Sequence, residues 1–154
     1  YKSSWRNIWN ILNDCFLFDL FTKFLIQNYL LLGQSIKINK FIDIVYVQNY
    51  GVSFGLFSGE IPYWVLVIIG LLVVILILYL LIISYKNLEK NAYFLIIAGA
   101  MGNIIDRVLN SYVVDFISLH YKAFYWPAFN FADIYITIGI IMLLITFFFK
   151  SDYR

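Results

Sequence analysis

From Ile61 to Tyr85 the chain runs for 25 positions without a charged side chain, and Lys86 closes the run. A helix rises 1.5 Å per residue, so about 20 apolar residues cross the hydrocarbon of a bilayer. In lipid every backbone N–H and C=O must be satisfied within the segment, and a helix does this. Residues 61–85 are therefore expected to span a membrane. Pro62 suits the first turn of that helix, and Tyr63 and Trp64 suit the aromatic belt at the membrane–water boundary.

The remaining composition agrees. Of 154 residues 63% are hydrophobic, with a mean hydropathy of +0.84, whereas a soluble domain is about half apolar. So small a core cannot bury the excess, so most of it must face lipid. Further apolar segments cover about 8–32, 91–107 and 133–150. The expected fold is an α-helical membrane protein with four transmembrane helices, forming one membrane-embedded domain over 1–154. The first segment carries Asp14, Asp19 and Lys23 and lacks the small-residue cleavage site of a signal peptide. It is read as a resident span, with Asp19 and Lys23, four apart, paired on one helix face.

Two stretches lie between the spans. Residues of about 34–60 hold the partly alternating run Phe41-Ile-Asp-Ile-Val-Tyr-Val and then Gly51, Gly55 and Gly59, which predicts a small β platform. Residues of about 108–132 are expected to form a second loop. Four spans put both termini on one side, together with Lys2, Arg6, Lys86, Lys90, Lys150 and Arg154. Lys37, Lys40, Arg107 and Lys122 fall on the other side. The excess marks the termini as cytoplasmic and places the platform and the second loop on the extracytoplasmic face.

Several chemistries are set aside by the residues present. A net charge of +2, scattered along the chain, gives no footprint for nucleic acid. Cys15 is the single cysteine and His120 the single histidine, which argues against a disulfide, a cysteine-rich site or a zinc site. Cys15 is expected toward the cytoplasmic end of the first span, away from the other polar groups, and His120 has no serine partner nearby. Carboxylates remain. Asp106, Asp115 and Asp133 fall within 28 residues, accompanied by Asn103, Arg107 and Asn130, at the ends of apolar segments. Carboxylates at a membrane edge are costly unless paired, hydrated or used. Two that share one proton supply an acid and a base at the same pH. The base takes a proton from water, which attacks a scissile carbonyl, and the acid polarises that carbonyl and protonates the leaving amine. No cofactor or metal is required.

Most of these residues also have a structural role open to them. Asn130 and Asp133, three apart, fit the N-cap and third positions of the last helix. Asp106 fits a salt bridge with Arg107, and Asp19 with Lys23. Ala98, Gly99, Ala100 and Gly102 suit close helix packing. Gly51 and Gly55 suit backbone shape, and His120 an interfacial loop. Asp115, in a Val-Val-Asp-Phe-Ile run with no adjacent cation, has the least structural explanation.

Five motifs together resemble the prolipoprotein signal peptidase (signal peptidase II) family of bacterial aspartyl peptidases. They are Asp19-x-x-Thr22-Lys23, Asn49-x-Gly51-x-x-Phe54, Gly102-Asn103-x-x-Asp106-Arg107, Val113-Val114-Asp115-Phe116 and Phe129-Asn130-x-Ala132-Asp133. Any one is weak; all five in the family's order are specific. Val52, Ser53, Ala98 and Ile134 depart from the usual pattern without removing a polar group. The resemblance implies that Asp115 and Asp133 are the catalytic pair. It implies that Asn49, Gly51, Asn103, Arg107 and Asn130 hold the substrate backbone or order the site, and that Asp19, Lys23 and Asp106 support it. The implied substrate is a diacylglyceryl-modified prolipoprotein, cut on the N-terminal side of its lipid-bearing cysteine. The implied setting is the bacterial inner membrane, with lipid as the surroundings and a monomer as the working unit. The rival reading is a non-catalytic transport or assembly subunit that uses the same carboxylates for ion passage or packing.

Overall fold

The computed structural model describes residues 2–51 and 61–148. Its elements are α1 (Lys2–Tyr29), β1 (Ser35–Lys37), β2 (Ile42–Asn49), α2 (Tyr63–Ile83), α3 (Asn87–Asn110), β3 (Val113–Tyr121), β4 (Phe124–Tyr125) and α4 (Phe131–Phe148). Among the described residues, α2, α3 and α4 are long and apolar enough to cross a membrane. α2 exposes most of its length and buries Leu66, Val74 and Leu81; apolar rows left bare in this way face lipid. Val74 and Leu81 pack with Phe94, Ile97 and Ile104 of α3. α1 has 28 residues but carries Asp14, Asp19 and Lys23; Asp19 and Lys23 are buried against the other helices, whereas Asp14 is exposed.

Helix ends differ from the expected spans for local reasons. α3 begins before the expected boundary at 91: Lys86 is its N-cap and Glu89 lies in its first turn, where a carboxylate suits the helix dipole. α3 continues past the expected boundary at 107 to Asn110, and Ser111 closes it in the left-handed region at φ 68°. Asn130 precedes the first residue of α4.

The larger correction concerns residues 108–132. They are not a loop but contribute β3 and β4 to a four-stranded antiparallel sheet of order β1-β2-β3-β4. β2 and β3 pair from Asn49↔Val113 at one end to Ile42↔Leu119 at the other, with an irregularity between Ile44 and Val47. The platform is thus built from both inter-helix segments. Alternation does not reveal β3 because Val113, Val114, Asp115 and Phe116 are all buried. Val114 and Phe116 form a second core with Ile26 of α1 and Tyr46 of β2, which fixes the sheet to the helices. Phe54, Gly55 and Gly59 of the expected platform lie outside the described residues, as do Val52 and Ser53.

The small residues of α3 are where helices meet. A Cβ added at Gly102 would lie 2.5 Å from Asp19 Oδ2, and one added at Gly99 would overlap the Ala132 carbonyl oxygen. At Gly70 of α2 the neighbour would be the flexible Ile104 side chain at 3.0 Å. Gly102→Ala is therefore expected to destabilise the protein by about 1–3 kcal/mol and Gly70→Ala to be close to neutral. Thermal unfolding of the two variants in detergent checks this order.

Candidate active site

The polar residues singled out from the sequence converge on one place, between the C-terminal half of α1, the C-terminal half of α3, the start of β3 and the start of α4. Lys23 is its innermost cation, 1% exposed. Its Nζ lies 2.8 Å from Asp19 Oδ2, as the four-residue spacing on a helix allows. It also lies 3.3 Å from Asp106 Oδ2 and donates to Asn103 Oδ1 at 2.9 Å.

Asp106 does not pair with its neighbour Arg107. Successive side chains on a helix diverge by about 100°, so the two residues serve different partners. Asp106 faces Lys23 and accepts the Val114 N–H at 3.0 Å and the Asn110 amide at 3.2 Å. Arg107 reaches the loop after β2, donating from Nη2 to the Gly51 carbonyl at 2.7 Å and from Nη1 to the Asn103 carbonyl at 3.3 Å. Its Nε is buried and has no hydrogen-bond partner among the described residues. The Gly51 N–H in turn donates to Asn49 Oδ1 at 2.9 Å.

Asp115 and Asp133 are held by three asparagines. Asn49 Nδ2 donates to Asp115 Oδ2 at 2.9 Å, and Asn130 Nδ2 donates to Asp115 Oδ1 at 2.7 Å. Asn103 Nδ2 donates to Asp133 Oδ1 at 2.9 Å. Asn130 Nδ2 also lies 3.2 Å from Asn103 Oδ1, so the amides form one connected network. The capping reading of Asn130 and Asp133 holds as well. The Asp133 N–H donates to Asn130 Oδ1 at 3.0 Å, and the Asn130 N–H to Asp133 Oδ2 at 3.3 Å, a reciprocal box with aspartate in the third position. Asp19 Oδ1 accepts the Ala132 N–H at 2.8 Å. The Ala132 and Asp133 amides of α4 are thus met by a carboxylate and an asparagine oxygen, and two carboxylates lie at the positive end of the helix dipole, which favours them.

Two hollows open on this cluster. One, of about 200 Å³, is lined by Asn49, Asn103, Arg107, Asp115 and Asp133 together with apolar groups such as Ile136. The other, of about 470 Å³, is an apolar groove along α4 that includes Phe129, Ile136, Ile140 and Trp126, with Asp133 in its wall. Four carboxylates face two cations here. Burial, and next the charge of Asp133, push the Asp115 carboxyl up to about 7. The hydrogen bonds from Asn49 and Asn130 and the charge of Lys23 pull in the opposite direction.

Two expectations change with this geometry. Cys15 is not remote from the cluster: it lies one helical turn before Asp19, which accepts the Ala132 N–H of α4. His120 is not a loop residue but a strand residue of β3, with Nε2 3.2 Å from Asp43 Oδ1. The sequence also concealed the backbone partners, the Val114 and Ala132 N–H groups, because every non-proline residue carries such a donor.

A family model described as signal peptidase (SPase) II matches residues 11–149. The chain is 36% identical over 131 residues to a lipoprotein signal peptidase of Francisella tularensis subsp. novicida (strain U112), covering 82% of this chain and 81% of that one. It is 42% identical over 133 residues to a lipoprotein signal peptidase of Thermodesulfovibrio yellowstonii, covering 83% and 85%. A solved bacterial membrane enzyme, determined by the in meso method at 2.3 Å resolution, superposes with a TM-score of 0.88 at 32% identity. That alignment covers 96% of this chain and 92% of the other.

The carboxyl of Asp115 gives the fold a pH dependence. An aspartate in an unfolded chain titrates near 4, so between about pH 4 and 7 the folded state holds a proton that the unfolded state has lost. This contribution to stability is complete below the lower value and disappears as the pH rises through about 7. The thermal midpoint of the wild type in detergent is expected to fall between pH 5 and pH 8, and Asp115→Asn is expected to flatten that fall. Equal slopes for the two proteins would place the titrating group elsewhere.

Proposed function

The chain belongs to the signal peptidase II family and is a prolipoprotein signal peptidase, and we propose that Asp115 and Asp133 are the pair that cuts the peptide bond. The observation that carries this reading is the asparagine network, in which Asn130 and Asn103 tie the two carboxylates together at the wall of one cavity. Membership decides for the peptidase over the transport or assembly alternative.

Asp115 carries the proton and Asp133 is the carboxylate. Water between them gives a proton to Asp133 as its oxygen attacks the scissile carbonyl carbon. Asp115 donates a hydrogen bond to the carbonyl oxygen as charge develops there. Collapse of the tetrahedral intermediate breaks the C–N bond, and a proton from the pair goes to the leaving amine. That amine belongs to the cysteine carrying the diacylglyceryl group. Asn49, Asn103 and Asn130 spend their amide hydrogens on the carboxylates and so order the site. Arg107 holds the Gly51 carbonyl and so fixes the loop after β2 at the wall of the cavity, where that backbone can meet the substrate. Asp19, Lys23 and Asp106 hold α1, α3 and α4 in register from behind. The apolar groove beside Asp133 takes an apolar part of the substrate.

The same reading extends to topology. All four helices span the bacterial inner membrane, with α1 admitted as the fourth because Asp19 and Lys23, the ionic groups of its C-terminal half, are paired inside the bundle. The termini are cytoplasmic, the sheet and the carboxylate pair face the extracytoplasmic side, and the chain works as a single membrane-embedded domain and as a monomer.

The deciding experiment is cleavage of a diacylglyceryl-modified prolipoprotein by the purified protein in detergent. Asp115→Asn and Asp133→Asn, shown to be folded by their thermal midpoints, are each expected to lower kcat by roughly 10²–10⁴-fold. Either variant cutting at the wild-type rate sinks the assignment. An unmodified precursor tests the need for the lipid. The pH profile gives a second check. Activity is expected to decline as the pH rises above about 7, where Asp115 loses its proton. Asn49→Ala removes a hydrogen bond that favours the ionised form, so the decline should move to higher pH.

A further inference from the structure

The sheet has a second end, and that end is built unlike the first. β2 and β3 run about 25 Å, at roughly 3.3 Å per residue, from Asn49 and Val113 beside the cavity to Ile42 and Tyr121 far from it. There the turn before β2 and the two-residue turn after β3 lie side by side. The rings of Phe41 and Tyr121 join them, stacked with centroids 6.2 Å apart and planes 14° apart. Phe41, Tyr121 and Phe124 are 53%, 61% and 64% exposed, a large aromatic surface to leave in water.

The cations of this region share the same end. Lys37 closes β1, Lys40 lies in the turn before β2, and Lys122 lies in the turn after β3 at φ 55°. All three are exposed. Lys122 Nζ lies 5.4 Å from the Tyr121 ring centroid. Among the described residues none of the three has an ion-pair partner within 4 Å. The carboxylate that β2 places nearby, Asp43, is buried and engaged by His120. The tip is therefore aromatic, cationic and free of exposed carboxylate from its own strands.

We propose that this tip is a docking surface for the anionic headgroups of the membrane that holds α2, α3 and α4, with its rings at the interface and Lys37, Lys40 and Lys122 among the lipid phosphates. Charge complementarity selects the occupant. Amphipathic rings prefer the headgroup region, and lysines beside an anionic surface are attracted to it. Docked there, the tip levels the sheet against the bilayer, so that Val113 and Asn49 at its other end keep a constant depth. The inference goes beyond the catalytic reading and does not depend on it, because the tip holds none of the residues around Asp115.

Trp126 is the reporter. It packs edge-on against Phe124 with centroids 6.5 Å apart, and its emission is obtained as the difference between the wild type and Trp126→Phe. The protein is placed in nanodiscs of phosphatidylcholine that hold a minority of brominated phosphatidylglycerol, or the same fraction of brominated phosphatidylcholine. Quenching of Trp126 is expected to be about twofold or more stronger with the anionic lipid, within the roughly fivefold that each fully engaged lysine gives. The excess should vanish in the triple variant Lys37→Gln, Lys40→Gln, Lys122→Gln, and at high salt. Trp64, at the start of α2, should be quenched equally by both lipids. Equal quenching of Trp126 by the two lipids, an excess that survives in the triple variant, or an unquenched Trp126 beside a quenched Trp64 would each overturn the proposal.

Discussion

Everything in the centre of this protein is arranged around one buried ammonium group. Lys23 is almost wholly removed from solvent, and such a charge is costly unless its partners are complete. Its partners come from two helices: Asp19 from its own, and Asp106 and Asn103 from α3. Asp19 then reaches α4 through the Ala132 N–H, and Asp106 reaches β3 through the Val114 N–H. One cation thus links α1, α3, α4 and the sheet. Removing a partner from such a group costs about 3–5 kcal/mol, because the remaining charge stays buried. α1 is the least apolar of the helices, and this set of pairs is what makes its charges acceptable inside the bundle.

The same cluster gives two nearby carboxylates different surroundings. Asp133 sits in the first turn of α4, where its oxygens meet the Asn103 amide and a backbone N–H. Asp115 is held on a strand with both faces covered, and its neighbours are neutral amides. Lys23 and Arg107 are committed elsewhere, to Asp106 and Asp19 in one case and to backbone carbonyls in the other. Burial therefore decides the state of Asp115, and the charge on Asp133 reinforces it. Asparagine serves this purpose better than lysine or arginine would, because it orients a carboxylate without forcing it to ionise.

The sequence disclosed what depends on long runs or fixed spacing. The uncharged stretch at 61–85 announced α2, the four-residue step announced the Asp19–Lys23 pair, and Asn130 with Asp133 announced the start of α4. It concealed what depends on tertiary surroundings. β3 was unreadable because Val113 to Phe116 are buried on both faces, which removes the alternation that marks a strand. Asp106 beside Arg107 suggested a pair that helical geometry forbids. Cys15 was set apart from the cluster although it lies only one helical turn before Asp19. The resemblance to a family supplied the choice of Asp115 and Asp133 from among the carboxylates, which spacing alone left open.

The position of the pair follows from the two elements that carry it. The described part of α4, Phe131–Phe148, already covers about 27 Å at 1.5 Å per residue, close to the thickness of a hydrocarbon core. In the topology proposed above its first turn lies at one boundary of that core, and Asp133 with it. Asp115 arrives from the other direction, on a strand whose far end is exposed and aromatic. The pair is assembled where a membrane helix begins and a surface sheet ends, so neither carboxylate has to be carried deep into lipid. Water can reach that level, while the apolar groove along α4 remains in contact with the membrane. A bond at the junction of an apolar segment and a lipid-bearing residue lies at the same level.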